Sequence, residues 1–327
     1  MKIALKGIFQ FIATVFILSV VVFYMSRMSP GDPLKSYYGD SVERMSFEQR
    51  EKAMDKLGLN KPIYVQYGVW VKSILKGDFG ISYKYKRNVT DVIKEVYKNT
   101  IILVGISYVL IFIGALFLGI YCAIHENELI DKIIMMIGNI TTYIPSFWIS
   151  IILILIFAVN LKILPTGGAY CIGKANDLGD RITHLILPIV VLVTGHLWYY
   201  AYMVRNKLLE EFGEEYVLLA KAKGLTKYQI VYKQCLRNIM PSFMSTMAIF
   251  ISHILAGAYI VESVFSYPGL GKLAFESAKY HDYNMLMIIS LITGVIVLIS
   301  NLLVKIINSK IDPRIEDKGG IVFEFNA

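Results

Sequence analysis

The sequence predicts an all-α membrane protein with six transmembrane helices and a helical external insertion after the first span. Three observations carry this. Hydrophobic residues make up 56% of the 327 positions, charged residues only 18%, and the mean hydropathy is +0.55. Soluble chains average about 45–50% apolar and about 25% charged, which excludes disorder and argues against an ordinary soluble domain. The apolar residues also fall in runs of about 20, the helix length that crosses a hydrocarbon core of about 30 Å. Lastly, no run shows the two-residue alternation of a barrel strand. Within a bilayer the remaining way to satisfy every backbone group is a helix.

The expected spans are 7–28, 100–124, 133–159, 184–204, 241–265 and 284–307. The first run continues through residues 20–24 with no small-residue cleavage site, so it reads as a retained span rather than a signal peptide. Four parts follow: tail and first helix 1–28, insertion 29–99, five-helix core 100–308 with a cytoplasmic loop at 205–240, and tail 309–327. Pro145 lies inside the third run and is expected to kink it, because proline removes a backbone donor. Pro241 is expected to open the fifth span.

Lys and Arg number 33 against 25 Asp and Glu, a net charge of +8. In so apolar a chain the excess reads as a topology signal rather than a nucleic-acid surface. With the N-terminus inside, the cytoplasmic pieces hold 14 basic residues, seven of them between Arg205 and Arg237. The two short outer loops hold five: Lys162, Lys174, Arg181, Lys272 and Lys279. The long first loop carries most of the rest, and long loops translocate largely regardless of charge. Both termini are therefore expected in the cytoplasm.

Two loops carry helical signals of their own. In the first, Ser46 and Gln49 fit a capping box, and Leu57-Gly58 supplies a stop. Asn60-Lys61-Pro62 then restarts a helix whose Ile63, Tyr67, Trp70, Val71 and Ile74 share one face up to Gly77. That face reads either as a packing lid or as a docking surface. In the loop at 205–240, residues 214–223 form a short helix ending at Gly224, and Thr226 with Gln229 caps a second one. Two capped helices suit partner docking or an interfacial position on the membrane.

This loop reads Glu215-Tyr-Val-Leu-Leu-Ala220-Lys-Ala-Lys-Gly224-Leu, then Leu236-Arg-Asn238 and Pro241. It resembles the cytoplasmic loop of ABC importer membrane subunits, and more narrowly the first permease subunit of the dipeptide/oligopeptide/nickel family. The resemblance covers nearly the whole chain. Matching motifs are Pro30-Gly-Asp-Pro33, Leu57-Gly-Leu-Asn-Lys-Pro62 with Gln66-Tyr67, and Gly77-Asp-Phe-Gly-Ile-Ser82. Val261-Glu262, Tyr267-Pro-Gly-Leu-Gly271 and Ile311-Asp-Pro-Arg314 match too. Leu218 and Leu219 stand where many importer relatives have Glu-Ala, as is common in the peptide-type subgroup.

The resemblance implies a type I ABC importer permease fold in a bacterial inner membrane and transport of peptides by alternating access. A nickel or metal-chelate cargo is the nearest alternative. It implies a second homologous permease subunit, two cytoplasmic ATPase subunits and an external solute-binding protein as partners. ATP and Mg would be used by the ATPase subunits, with no cofactor on this chain and no enzymatic activity of its own. Glu215, Tyr216, Ala220, Ala222, Lys223, Gly224 and Leu225 would contact an ATPase subunit, the small Ala220 and Gly224 allowing close approach.

Other signals are weaker. Gly168-Ala-Tyr-Cys-Ile-Gly173-Lys174 is nearly a phosphate loop but has Ala175 where Ser or Thr should reach magnesium. His125-Glu126 lacks the second histidine of a zinc-protease helix, since position 129 is Leu. Cys122, Cys171 and Cys235 are far apart in sequence, which argues against a disulfide framework or a zinc site. Pro145, His196, His253 and Glu262 are pathway-lining candidates, because ionisable groups and kinks within spans mark transport routes. His184 and Glu262 sit near span ends, where hydration is expected, and capped structural roles are favoured over pathway lining for His184, His196, His253 and Glu262. The rival class is an ion-coupled secondary transporter, which inverted repeats and buried carboxylates would favour. No clear repeat is visible.

Overall fold

The structure, a computed structural model, describes residues 2–28, 34, 38–56 and 58–311. The motif at 30–33, Leu57 and residues 312–314 lie outside the described residues. In chain order the helices are α1 (Lys2–Met28), α2 (Phe47–Lys56), α3 (Ile63–Leu75), α4 (Val89–Ile124), α5 (Leu129–Tyr143) and α6 (Ser146–Leu153). They continue with α7 (Leu178–Glu211), α8 (Glu215–Ala222), α9 (Lys227–Ile230), α10 (Leu236–Val264), α11 (Leu270–Lys279) and α12 (Tyr283–Ile311). Short π turns follow α6 (Ile154–Asn160) and α9 (Val231–Cys235). Among the described residues the extended pairing is one isolated bridge, Ile81 with Asn88.

Among the described residues five helical stretches are long and apolar enough to cross a membrane: Phe9–Met28, Val89–Ile124, Leu178–Glu211, Lys227–Val264 and Tyr283–Leu303. The sixth counts only as a pair, Leu129–Thr141 with Ser146–Asn160, sharply bent between its halves. A kinked helix was expected there, and a broken one is found. Ile144 is extended (ψ 123°), and Trp148 donates to the Pro145 carbonyl at 3.0 Å as a new helix begins. Proline pushes the residue before it out of the helical region and then suits a first turn, where no amide partner is needed.

Pro241 behaves oppositely. It lies inside α10, and one helical stretch runs unbroken from Lys227 to Val264. The helix that carries the fifth span therefore does not start at this proline; it starts at the capping box. The helix of the second span also starts earlier than its apolar run, since α4 begins at Val89, within the insertion. Its amphipathic first turns explain this: Val89 and Val92 are buried in a cluster with Leu273, Met285, Ile288 and Ile289.

The chain divides into two units, 1–104 with 150–188 and 255–296, and 105–149 with 189–254 and 297–327. In the first unit the insertion is packed rather than trailing. The Ser46–Gln49 capping box forms, with bonds of 3.0 and 3.3 Å. On α3, Tyr67 and Trp70 meet the Phe23 ring of α1 at 5.4 and 5.2 Å, and Ile74 packs on the Val89–Met285 cluster. The lid reading of this face thus has a physical basis.

The centre of this unit is Glu262, which is 0% exposed. Thr100 Oγ1 donates to Glu262 Oε1 at 2.6 Å, and the amides of Gly271 and Lys272 donate to Oε2 at 2.7 and 3.3 Å. Thr100 Oγ1 in turn accepts the Leu270 amide at 2.8 Å. The first amides of a helix have no partner inside it. Gly269, at the cap position of α11, has no side chain to offer, and a Cβ there would collide with the Glu262 carboxylate. The motifs at 261–262 and 267–271 are thus two halves of one helix cap. The hydrated span end expected for Glu262 is overturned.

A second polar anchor holds the segment before α4. Asp282 caps α12 through the Met285 amide (3.3 Å) and accepts from Ser82 Oγ and the Lys84 amide. Lys84 Nζ and Tyr85 Oη both donate to Glu276, and the Lys84 ammonium sits 4.4 Å from the Tyr280 ring centroid. Burial opposes the charged form of Glu276, but the Lys84 and Tyr85 hydrogen bonds outweigh it and hold the carboxyl below its usual 4.5.

Two outcomes follow from these anchors. Thr100→Val removes a hydroxyl serving one buried acceptor and one buried amide, so purified protein should lose about 1–3 kcal/mol of stability; an unchanged Tm in detergent would refute the cap. The depressed Glu276 contributes stability above its unfolded pKa and loses it as pH falls through the folded value, below 4.5. Protease nicking near Tyr83 should therefore rise on acidification through that window, and Glu276→Gln should flatten the dependence.

Candidate functional site in the loop between the fourth and fifth spans

In the second unit the loop is built from three local signals. Thr226 Oγ1 accepts the Gln229 amide (3.3 Å) while Gln229 Oε1 accepts the Thr226 amide (3.0 Å), the expected capping box. Helix α8 ends in a Schellman motif: the Leu225 amide bonds the Ala220 carbonyl (3.2 Å) and the Gly224 amide bonds the Lys221 carbonyl (2.9 Å). That motif needs a left-handed residue, and Gly224 has φ +79°. A Cβ at Gly224 would meet nothing within 4 Å, so its conformation rather than close contact within the chain explains the glycine.

The loop is tied down at two points. Glu211, ending α7, accepts from Tyr216 Oη and from Asn238 Nδ2 (3.0 Å), and Tyr216 Oη lies 3.5 Å from Cys235 Sγ. Burial, reinforced by Glu211, pushes the Tyr216 phenol above its ordinary range, so it stays a donor. Lys227 Nζ donates to the Ile124 carbonyl at the end of α4 and sits 5.3 Å from the Phe212 ring. A cation at a helix C-terminus meets the negative end of its dipole. Nearby, Arg205 and Asp131 form a two-point ion pair, 2.7 Å at each contact, and Asp131 also accepts the Asn127 amide (3.0 Å). A groove of about 220 Å³ opens between Phe212, Val217, Lys221, Leu225, Lys227 and Ile230.

These ties sort the residues of α8. Val217 and Ala220 face inward, and Ala220 is only 2% exposed. Its small size serves packing inside this chain. Tyr216 is likewise an internal strut. Glu215, Ala222, Lys223 and Gly224 are exposed, and Leu225 is half-buried in the groove. Leu218 and Leu219, which the sequence places on the loop's surface but not among the site residues, are 58% and 57% exposed beside one another. Inward Val217 and Ala220 at a spacing of three were the signal that could have exposed them.

The pathway candidates have separate surroundings. Pro145 and His253 are exposed. His196 is half-buried with its ring edge-on to Phe250 at 5.0 Å, in a cluster with Tyr200 (4.6 Å from Phe250). Glu262 is saturated by the cap described above.

Residues 115–317 match the family described as "Binding-protein-dependent transport system inner membrane component", and residues 1–104 match its N-terminal counterpart. The chain is 33% identical over 300 residues to the oligopeptide transport system permease protein AppB of Bacillus subtilis, covering 91% of this chain and 94% of that one. It is 31% identical over 314 residues to the glutathione transport system permease protein GsiC of Escherichia coli K12, covering 96% and 98%. It is 29% identical over 316 residues to the oligopeptide transport system permease protein OppB of Haemophilus influenzae, covering 96% and 99%. Among solved structures, an inward-facing MetNI methionine ABC transporter aligns with a TM-score of 0.52 at 18% identity, covering 67% of this chain and 97% of that one. The spans, the capped loop and these likenesses converge: the chain belongs to the family of binding-protein-dependent transport system inner membrane components and has the type I ABC importer permease fold.

Proposed function

We propose that this chain is a permease subunit of a peptide-importing ABC system and carries short peptides inward by alternating access. The observation that carries the reading is the pair of exposed leucines on a short helix otherwise pinned to its own chain. An exposed apolar pair between charged neighbours suits a protein groove. The peptide cargo rests on the oligopeptide and glutathione systems to which the relatives belong.

In this reading Leu218 and Leu219, rimmed by Glu215, Ala222, Lys223 and Gly224, seat on a cytoplasmic ATPase subunit. ATP and Mg act there and not on this chain. A second permease subunit completes the pathway, and a solute-binding protein delivers peptide from outside. Lys227 links the docked loop to the end of α4, so a displaced loop pulls directly on a span. Glu262 serves as a helix cap; Pro145, His196 and His253 are the pathway candidates. Both termini face the cytoplasm of a bacterial inner membrane.

Leu218→Asp and Leu219→Asp change exposed side chains and should leave membrane insertion intact. Each should cut peptide uptake and ATPase co-purification more than tenfold at matched membrane levels; wild-type behaviour of both would sink the docking assignment. Lys227→Met should lower uptake far more than co-purification, and equal losses would deny it a linking role. Gly224→Asn, which tolerates the left-handed region, should outperform Gly224→Val. Orientation has a native reporter, because Cys171 is exposed while Cys122 and Cys235 are buried. Cys171 should react with an impermeant maleimide in intact cells, and Lys233→Cys in a Cys171→Ser background only after permeabilisation. The reverse pattern would invert the topology.

A further inference from the structure

The loop before α7 brings together three side chains that the transport reading does not use. Cys171 Sγ lies 4.0 Å from His184 Nε2, and one ligand atom from each of Cys171, Asp180 and His184 falls within 4.8 Å of the others. We propose that these residues form a binding site for a borderline-soft divalent transition-metal ion of the zinc type. Tetrahedral zinc, with sulfur at about 2.3 Å and imidazole nitrogen at about 2.0–2.1 Å, separates those two atoms by roughly 3.5 Å. The observed pair needs to close by only about half an ångström to meet that geometry.

The histidine is prepared for this role. His184 is 5% exposed, and its Nδ1 lies 2.8 Å from the Asp180 carbonyl. A carbonyl only accepts, so Nδ1 carries the proton and the Nε2 lone pair faces the thiol. Metal-binding histidines are typically oriented by such a bond from the other ring nitrogen. Asp180 and His184 share one face of the first turns of α7 at a spacing of four. Asp180 Oδ2 accepts the Cys171 amide at 2.6 Å. Its Oδ1 is 4.0 Å from Lys174 Nζ, an ion pair rather than a hydrogen bond, and the carboxylate also accepts from the Cys171 thiol, a bond that a metal ion shared by the two side chains would replace.

The cysteine loop is fixed rather than loose. The Gly168 amide bonds the Phe265 carbonyl (2.9 Å), and the Lys174 amide bonds the Cys171 carbonyl (2.9 Å). Arg181 Nε donates to Ala175 O (2.7 Å), and its guanidinium lies 5.1 Å from the Tyr170 ring centroid. Thiolate and imidazole favour zinc-like ions over magnesium or calcium. Cys171 is exposed, so a fourth position opens to solvent, the arrangement that admits water or an outside ligand. Sequence spacing argued against zinc because no two cysteines are near one another; this site uses one cysteine and a helix turn.

The test uses purified full-length protein in detergent, with zinc titrated against a chromogenic chelator. One zinc per chain is expected, with at least tenfold weaker binding for Cys171→Ser and for Asp180→Asn. Cobalt in place of zinc should give a thiolate-to-metal charge-transfer band that Cys171→Ser abolishes. Zinc should protect Cys171 from alkylation, and magnesium at the same concentration should not. The exposed Cys171 carries the decision, because replacing buried His184 also perturbs packing. Zinc binding unchanged in Cys171→Ser, bound cobalt without the thiolate band, or equal protection by magnesium would each overturn the site.

Discussion

A buried carboxylate and an uncapped helix resolve each other at Glu262. Left alone, a charged group with no water around it is costly by several kcal/mol, and so are the free amides at the start of α11. Placed together, with Thr100 bridging them, both are satisfied. The chain must then double back between residues 262 and 270. The Tyr267 amide returns to the Glu262 carbonyl at 2.8 Å, and Asn99 Nδ2 holds the Pro268 carbonyl at 2.8 Å. With α11 fixed, Leu273 reaches the Val89–Met285 cluster and Glu276 reaches Lys84 and Tyr85. The insertion, the second span and the last span are thereby joined in one unit.

What could be read from sequence was what is local. Ser46 with Gln49 and Thr226 with Gln229 act over three residues, and both boxes are present. Spans were legible because a bilayer demands a fixed length of apolar helix. The two prolines differ in a way the sequence does not show: whether a helix breaks at proline depends on what satisfies the freed carbonyl, and that is tertiary. The Glu262 cap was invisible for a similar reason, since Thr100 and Glu262 lie 162 residues apart. Ala220 looked like a contact because small residues suit close approach, yet the helix turns that face inward. Cys171 and His184 were passed over because spacing rules look for paired cysteines.

Helix α8 works by division of labour. One face, with Tyr216, Val217 and Ala220, is committed to its own chain. The other carries Leu218 and Leu219 outward. A helix of eight residues is too short to be stable alone. Its shape is imposed by the Schellman stop, the Glu211 bonds and the packing below, which leaves the outer face rigid before anything binds it. Preformed surfaces lose less conformational freedom on association.

The π turn between α9 and α10 has a genetic consequence. Such a turn closes its hydrogen bonds one residue later than an α-helix does, and each residue advances a helix by about 100°. The side chain of Lys233 is exposed, so a missense change there alters little. Losing that codon in frame is a different event. It would collapse the π turn into a regular α-helix, because the turn holds one residue more than an α turn does, and Phe243, Met247 and Phe250 would keep facing the interior they now fill. A codon lost in a regular turn further along α10 would instead rotate the residues beyond it by about 100°, so here the gene can change the number of residues where elsewhere in the helix it cannot.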